Sequence, residues 1–144
     1  MSDFRQLSGT FWASPQITLS DVEEAKANGF ALIVNNRPDG EADDQTEGAE
    51  IARAAKAAGI DYCAIPITQS GFSNAQVDAL CAALDGQPGK VLGYCRSGTR
   101  STLLWALAQA KLGGDPAKLA DAAAAAGYDL TPVRPAMDML AGSK

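Results

Sequence analysis

Short apolar runs alternate along this chain with stretches of helical pattern, and this alternation constrains the fold most strongly. An apolar run bounded by turn residues is typical of a buried strand. Strands that alternate with helices form a largely parallel sheet with helices on both faces. We therefore predict an α/β fold with a mostly parallel sheet of about four or five strands. The predicted strands are residues 11–13, placed at an edge of the sheet, and residues 30–34, 60–65 and 91–94.

Residue types at the ends of the helical stretches indicate where helices begin and end. Thr18 and Ser73 are predicted N-caps, because a hydroxyl there accepts a bond from a free backbone N–H group. Gly29 fits the left-handed position that follows a helix. The predicted helices are residues 19–28, 46–58 and 74–84, a long buried helix from about residue 101, residues 116–126, and a last helix from residue 131.

The size and charge of the chain narrow the classes of function. Its 144 residues suit one domain with a hydrophobic core, residues 1–144. The net charge of −5 argues against a nucleic-acid partner. The first residues have no apolar signal sequence, and no segment is apolar enough to span a bilayer. We therefore expect a cytoplasmic protein that has no membrane partner.

The chain has three cysteines and no histidine. An odd number of cysteines argues against a disulfide framework. The absence of histidine excludes Ser-His-Asp and Cys-His catalysis and argues against a zinc site. We expect neither a metal nor another cofactor. Cys63 and Cys81 are interpreted as core residues of a strand and a helix. The alternative for Cys63 is a resolving thiol, if its side chain faces the ends of the strands.

The third cysteine, Cys95, ends a predicted strand and begins the loop that leads into the long buried helix. Strand, tight loop and helix is a geometry that points backbone N–H groups at an anion. The helix dipole and two arginines of the loop, Arg96 and Arg100, favour the thiolate of Cys95 over the thiol. Because a thiolate is a nucleophile, we interpret this stretch as an anion-binding active-site loop with Cys95 as its nucleophile. The alternative is a purely structural cysteine.

Three loops follow predicted strands, and they cover residues 35–41, 66–71 and 95–100. In open α/β sheets, ligands bind beyond the carboxyl ends of the strands. We therefore expect these loops to meet at one rim, with the Cys95 loop among them.

The stretch Cys95-Arg96-Ser97-Gly98-Thr99-Arg100-Ser101 resembles the signature loop of two related kinds of enzyme. One is the dual-specificity and protein-tyrosine-phosphatase-like group, and the other is the rhodanese sulfurtransferases, whose loop is often one residue shorter. Together with residues 11–16 and 35–41, the loop makes the chain similar to the bacterial beta-lactamase-hydrolase-like phosphatase-like domain family, from about residue 11 to residue 140. This resemblance implies a compact α/β fold of the phosphatase type.

The resemblance also implies roles for single residues. Cys95 matches the nucleophile, Arg100 the arginine that clamps the anion, and Gly98 the glycine of the loop. Ser101 matches the hydroxyl that hydrogen-bonds the cysteine sulfur, and Arg37 is similar to a position near the rim of the site. The residues expected to bind the substrate or its oxyanion are Arg96, Ser97, Gly98, Thr99 and Arg37.

Departures from the phosphatase pattern bear on the reaction. Four residues separate Cys95 from Arg100, where phosphatases have five, and Tyr94 stands where they usually have histidine. Residues 65–70 contain no aspartate, although many phosphatases have a general acid there. Transfer of sulfane sulfur needs no such acid, because sulfite or an acidic thiolate leaves already charged. We therefore favour transfer of sulfur from a small-molecule donor, through a Cys95 persulfide, to a thiol acceptor.

Two alternatives remain open. The first is a cysteine-dependent phosphatase that hydrolyses phosphate monoesters through a Cys95 phosphocysteine, with Asp39 or Glu41 as the acid. These two carboxylates otherwise form a turn or face solvent, and Arg37 otherwise pairs with one of them as a structural clip. The second alternative is a non-catalytic module that binds oxyanions, against which the retained nucleophile argues.

Overall fold

The computed structural model of the chain describes residues 2–68 and 70–142. The strands are β1 (Arg5–Gln6), β2 (Phe11–Ser14), β3 (Phe30–Asn35), β4 (Asp61–Ala64) and β5 (Lys90–Tyr94). They form one sheet in the order β1-β2-β5-β3-β4. β1 is antiparallel to β2, whereas the other neighbouring pairs are parallel. The predicted α/β fold with a mostly parallel sheet is confirmed.

Helices cover both faces of this sheet, as predicted. They are α1 (Leu19–Ala27), α2 (Gly48–Ala57), α3 (Asn74–Leu84), α4 (Thr99–Lys111), α5 (Pro116–Ala125) and α6 (Arg134–Gly142). The side chains of β3 alternate between two cores, because successive residues of a strand point to opposite faces. Leu32 and Val34 pack in the core that contains α3, α4, α5 and α6 residues. Ile33 packs on the other face with residues of α1 and α2.

Local signals in the sequence explain several helix ends. Thr18 and Ser73 each form a capping box at the start of a helix. Gly29 has φ +80°, the left-handed conformation expected after α1. The central helix α4 is buried along most of its length, as its apolar composition predicts. It therefore fixes the position of the loop that precedes it.

The structure corrects several predicted boundaries. The predicted edge strand, β2, lies inside the sheet, because the two-residue strand β1 pairs with its outer side. The long helix begins at Thr99 and not near residue 101, since Gly98 adopts φ +91° and is its N-cap. The predicted last helix divides into a 3-10 turn at Thr131–Val133 and the helix α6. β1 is too short to show any periodicity in the sequence.

Candidate active site

Cys95 is the first residue after β5, and its side chain is fully buried. The N–H group of Gly98 donates a hydrogen bond to the Cys95 sulfur, with an N–Sγ distance of 3.2 Å. The loop is also joined to the segment after β2, because the N–H group of Gln16 donates to the Arg96 carbonyl. The loop therefore shields the sulfur from solvent.

The loop ends where α4 begins, so the amino end of that helix lies beside Cys95. The carbonyl of Gly98 accepts bonds from both the N–H group and the hydroxyl of Thr102, at 3.0 and 2.8 Å. The first N–H groups of an α-helix have no partner within the helix, and this end carries the positive pole of its dipole. The local field therefore favours an anion at the position of the sulfur.

Three side chains of the cysteine loop face solvent, in contrast to the buried Cys95. Arg96, Ser97 and Thr99 are exposed. The Ser97 hydroxyl donates to the Thr99 hydroxyl at 2.9 Å and accepts a longer bond from the Thr99 N–H group. The structure thus places the side chains of Arg96, Ser97 and Thr99 on the outer surface of the loop. The Gly98 amide, in contrast, faces the sulfur.

Arg100 connects the cysteine loop to the two other loops of the rim. Its two terminal nitrogens lie 2.8 and 2.9 Å from the two carboxylate oxygens of Glu41. Nη1 also donates to the carbonyl of Ile67 at 2.8 Å. The Glu41 carboxylate raises the pKa of Arg100, and the Cys95 sulfur contributes to the same shift. The three predicted rim loops therefore meet around one guanidinium group.

A second guanidinium group holds the same carboxylate. Arg37 is almost fully buried, and its Nε donates to Glu41 at 2.9 Å, while its Nη1 donates to Gln16 at 3.0 Å. The hydrogen bond from Arg100, followed by that from Arg37, lowers the pKa of Glu41 to about 2. Glu41 is therefore ionised at neutral pH. The sequence leaves Asp39 and Glu41 as partners for Arg37, and in the structure Arg37 pairs with Glu41.

The other candidate acid, Asp39, is also an acceptor. Its Oδ1 accepts a bond of 2.8 Å from the N–H group of Gly48, at the first residue of α2. A carboxylate at a helix amino end interacts favourably with the unpaired N–H groups there. Asp39 therefore holds the start of α2.

Ser101 does not make the bond that the family resemblance implies. Its fully buried hydroxyl donates to Oδ1 of Asn36 at 2.7 Å, so its single proton is not directed at the Cys95 sulfur. Asn36 in turn donates to the carbonyl of Ile65 at 2.9 Å. The hydroxyl is directed there because a buried amide oxygen needs a donor. Asn36 was not among the predicted site residues, and only its place directly after a strand pointed to it.

The remaining cysteines and Tyr94 belong to the cores. Cys63 and Cys81 are half-buried and pack against the larger core, and burial raises the pKa of both thiols. This placement agrees with the core interpretation. Tyr94 is almost fully buried in the core on the α1 and α2 side, and burial is the main cause of its raised pKa. It therefore keeps its proton at neutral pH.

Two structural features are absent from the described residues. Residues 2–68 and 70–142 contain no group of three or more potential metal ligands. In the same part of the chain, no helix has the length and apolar character that crossing a membrane requires.

Comparison with known proteins gives matches along most of the chain. A family described as "Beta-lactamase hydrolase-like protein, phosphatase-like domain" matches residues 3–112. The curated beta-lactamase hydrolase-like protein of Agrobacterium fabrum is 35% identical over 95 residues, which are 66% of this chain and 22% of that protein. The chain thus spans about a fifth of the length of the curated relatives that it matches.

Solved structures show the same similarity in three dimensions. A crystal structure from Neisseria meningitidis, described as a candidate phosphatase, is 32% identical and has a TM-score of 0.82, with 97% of this chain and 99% of that chain covered. Another candidate phosphatase, from Shewanella putrefaciens, has a TM-score of 0.76 at 21% identity, with 99% of this chain and 93% of that chain covered. The second similarity concerns the fold alone.

Proposed function

Since the chain belongs to the phosphatase-like domain family of the beta-lactamase hydrolase-like proteins, we propose that it is a cysteine-dependent enzyme in which Cys95 carries a sulfane sulfur atom from a small-molecule donor to a thiol acceptor. We also propose one domain for residues 1–144. Support for this comes from Tyr128 and Met137, which lie beyond the family match yet are buried in the same core as α4.

The reaction proceeds in two displacements on sulfur. The Cys95 thiolate attacks the outer sulfur of a donor such as thiosulfate, a sulfur–sulfur bond forms, and sulfite leaves with the electron pair of the broken bond. The acceptor thiolate then attacks the outer sulfur of the Cys95 persulfide. This second step breaks the bond to Cys95, restores its thiolate, and releases the acceptor as a persulfide. Neither step needs a proton from the protein to assist the leaving group.

The observation that carries this proposal is the state of the two candidate acids. Glu41 has a pKa of about 2 and is ionised between two guanidinium groups, so it has no proton to donate at neutral pH. Asp39 accepts a bond from the amino end of α2. Protonation of a leaving alkoxide typically contributes ~10²–10⁴-fold to the rate. A site without this contribution favours leaving groups that depart as stable anions, such as sulfite.

Hydrolysis of phosphate monoesters is the second candidate function. It is supported by the family, which is described as phosphatase-like, and by the similar Neisseria meningitidis structure. These comparisons favour hydrolysis more directly than sulfur transfer. In that reaction Cys95 would attack phosphorus, and Arg100 and the loop amides would hold the equatorial oxygens. With Glu41 ionised and Asp39 bound to the start of α2, aryl phosphates are favoured, because a phenolate leaves more readily than an alkoxide.

Intact mass spectrometry tests the two functions. The protein is incubated with thiosulfate or glutathione persulfide and weighed without reductant, beside the Cys95→Ser variant. Sulfur transfer predicts a gain of one sulfur atom in the unsubstituted protein and none in the variant. Cys63→Ser and Cys81→Ser are matched controls that keep the gain.

Hydrolysis of an aryl phosphate is measured on the same preparations. Rapid, Cys95-dependent release of phosphate without any gain of sulfur would overturn the transfer proposal in favour of the phosphatase. If neither reaction occurs and the Cys95→Ser variant still binds sulfate, both candidate functions are wrong. The chain is then a module that only binds oxyanions.

A further inference from the structure

Tyr128 reaches the cysteine loop from a part of the chain that the family match does not cover. It follows α5, and its hydroxyl donates to the carbonyl oxygen of Ser97 at 3.1 Å. The family match ends at residue 112, so it assigns no role to this tyrosine. The side chain is almost fully buried, and a buried tyrosine hydroxyl normally has a hydrogen-bond partner. Here its partner is the backbone of the active-site loop.

The carbonyl that Tyr128 holds belongs to the same peptide unit as the amide that faces the sulfur. The C=O group of Ser97 and the N–H group of Gly98 lie in one plane and point in opposite directions, because the peptide bond is trans. The oxygen is bound by Tyr128, and the N–H group donates to the Cys95 sulfur. The hydroxyl and the sulfur therefore fix the orientation of this peptide plane from its two sides.

An external contact matters at this peptide because Gly98 does not fix the orientation itself. Gly98 has φ +91°, and glycine adopts positive and negative φ with similar ease. A Cβ atom at Gly98 would lie 2.2 Å from the Tyr128 hydroxyl oxygen, so the tyrosine packs directly against this glycine. A rotation of the Ser97–Gly98 peptide would break the bond to Tyr128 and turn the N–H group away from the sulfur.

Tyr128 is itself held in place by the opposite end of the chain. The guanidinium carbon of Arg5 lies 5.3 Å from the centre of the tyrosine ring, and Nη1 of Arg5 donates to the carbonyl of Ala126 at 3.3 Å. Burial is the largest cause of a raised pKa for Tyr128. The hydroxyl therefore remains a donor at neutral pH.

We propose that Tyr128 is a positioning residue for Cys95, whose hydroxyl keeps the Ser97–Gly98 peptide turned so that its N–H group donates to the sulfur. The inference rests on the proposed function only in taking Cys95 as the nucleophile. It applies equally to sulfur transfer and to phosphate hydrolysis.

The test measures the reactivity of Cys95 in the Tyr128→Phe variant. The rate of alkylation by iodoacetamide is followed from pH 5 to pH 10, and peptide mass mapping separates Cys95 from Cys63 and Cys81. Losing an oriented N–H donor disfavours the thiolate, so the pH of half-maximal rate is expected to rise by about one unit. Tyr62→Phe is the matched control, because it removes the hydroxyl of a tyrosine that accepts a bond from Asn35, the last residue of β3.

The outcomes separate this inference from the proposed function. If the Tyr128→Phe variant is less stable to urea but has the same alkylation midpoint as the unsubstituted protein, the positioning role is wrong and the tyrosine is only structural. That result leaves sulfur uptake or phosphate release by the unsubstituted protein unaffected. If Cys95 of the unsubstituted protein reacts no faster than Cys63 at any pH, the nucleophile and its positioning by Tyr128 are both overturned.

Discussion

The carboxylate of Glu41 lies against the guanidinium group of Arg100, with the two O–N distances at 2.8 and 2.9 Å. These residues are 59 positions apart in the chain. Arg37 donates to the same carboxylate, so one negative charge lies between two positive ones at the rim. The charge of Glu41 thus offsets the attraction that both arginines would exert on an oxyanion.

Replacing Glu41 by glutamine should strengthen oxyanion binding. Loss of one negative charge beside Arg37 and Arg100 is expected to lower the dissociation constant for sulfate about fivefold at low salt, which corresponds to about 1 kcal/mol. Isothermal titration calorimetry measures this dissociation constant directly. Glu23→Gln, which removes an exposed charge on α1, should leave the constant unchanged. Equal or weaker sulfate binding by the Glu41→Gln variant would contradict the proposed offset.

The same carboxylate predicts a pH dependence of stability. The pKa of Glu41 is lowered to about 2 in the folded chain from a usual 4.5, so its ionised form stabilises the fold above pH 4.5. This contribution should decline as the pH falls from 4.5 toward 2. Urea unfolding of the wild-type protein and the Glu41→Gln variant measures it as the difference between their free energies of unfolding. A difference that stays constant over this range would show that Glu41 has an ordinary pKa.

Alanine at Gly98 should destabilise the protein through two effects. A side chain at φ +91° costs roughly 1–2 kcal/mol, and the overlap of its Cβ with Tyr128 adds roughly 1–3 kcal/mol. Gly29→Ala is the matched control, because Gly29 has φ +80° and a Cβ added there would meet nothing within 4 Å. Chemical unfolding should therefore give a much lower free energy of unfolding for Gly98→Ala than for Gly29→Ala. Equal losses for the two variants would argue against a close contact with Tyr128.

Removal of the Ser101 hydroxyl should affect stability, because it leaves the buried Oδ1 of Asn36 without this donor. The expected loss in Ser101→Ala is about 1–3 kcal/mol, measured by urea unfolding. Ser97→Ala, which removes an exposed hydroxyl of the same loop, should change the free energy by less than about 0.5 kcal/mol. An unchanged stability of Ser101→Ala, together with slower alkylation of Cys95, would instead favour the bond to sulfur that the resemblance implies.

The parts of the fold that were predictable from the sequence depend on neighbouring residues. Thr18 and Ser73 marked helix starts because a capping side chain bonds to an N–H group three residues away. The order of strands and helices followed from apolar periodicity, which is local too. β1 was not predicted, since its pairing depends on a turn and on the edge of an already formed sheet.

In the candidate site, only contacts between residues close in sequence were predictable. Cys95 and Gly98 are close in sequence, and their contact follows from the loop that they share. The contacts of Glu41 with Arg100 and of Tyr128 with Ser97 join distant segments, and no spacing in the sequence indicates them. The bond from the Ser101 hydroxyl to Asn36 was not predicted, because the choice between two acceptors depends on the packing of Asn36.

The contribution of Tyr128 and Met137 to the core bears on where this folding unit can be cut. Both lie beyond residue 112, the end of the family match, and both are buried against the same apolar cluster as Trp105. A fragment truncated after residue 112 would expose that side of α4 to water and would lose the hydroxyl that faces Ser97. The shortest stretch able to fold as this unit is thus expected to extend beyond the residues that the family match covers.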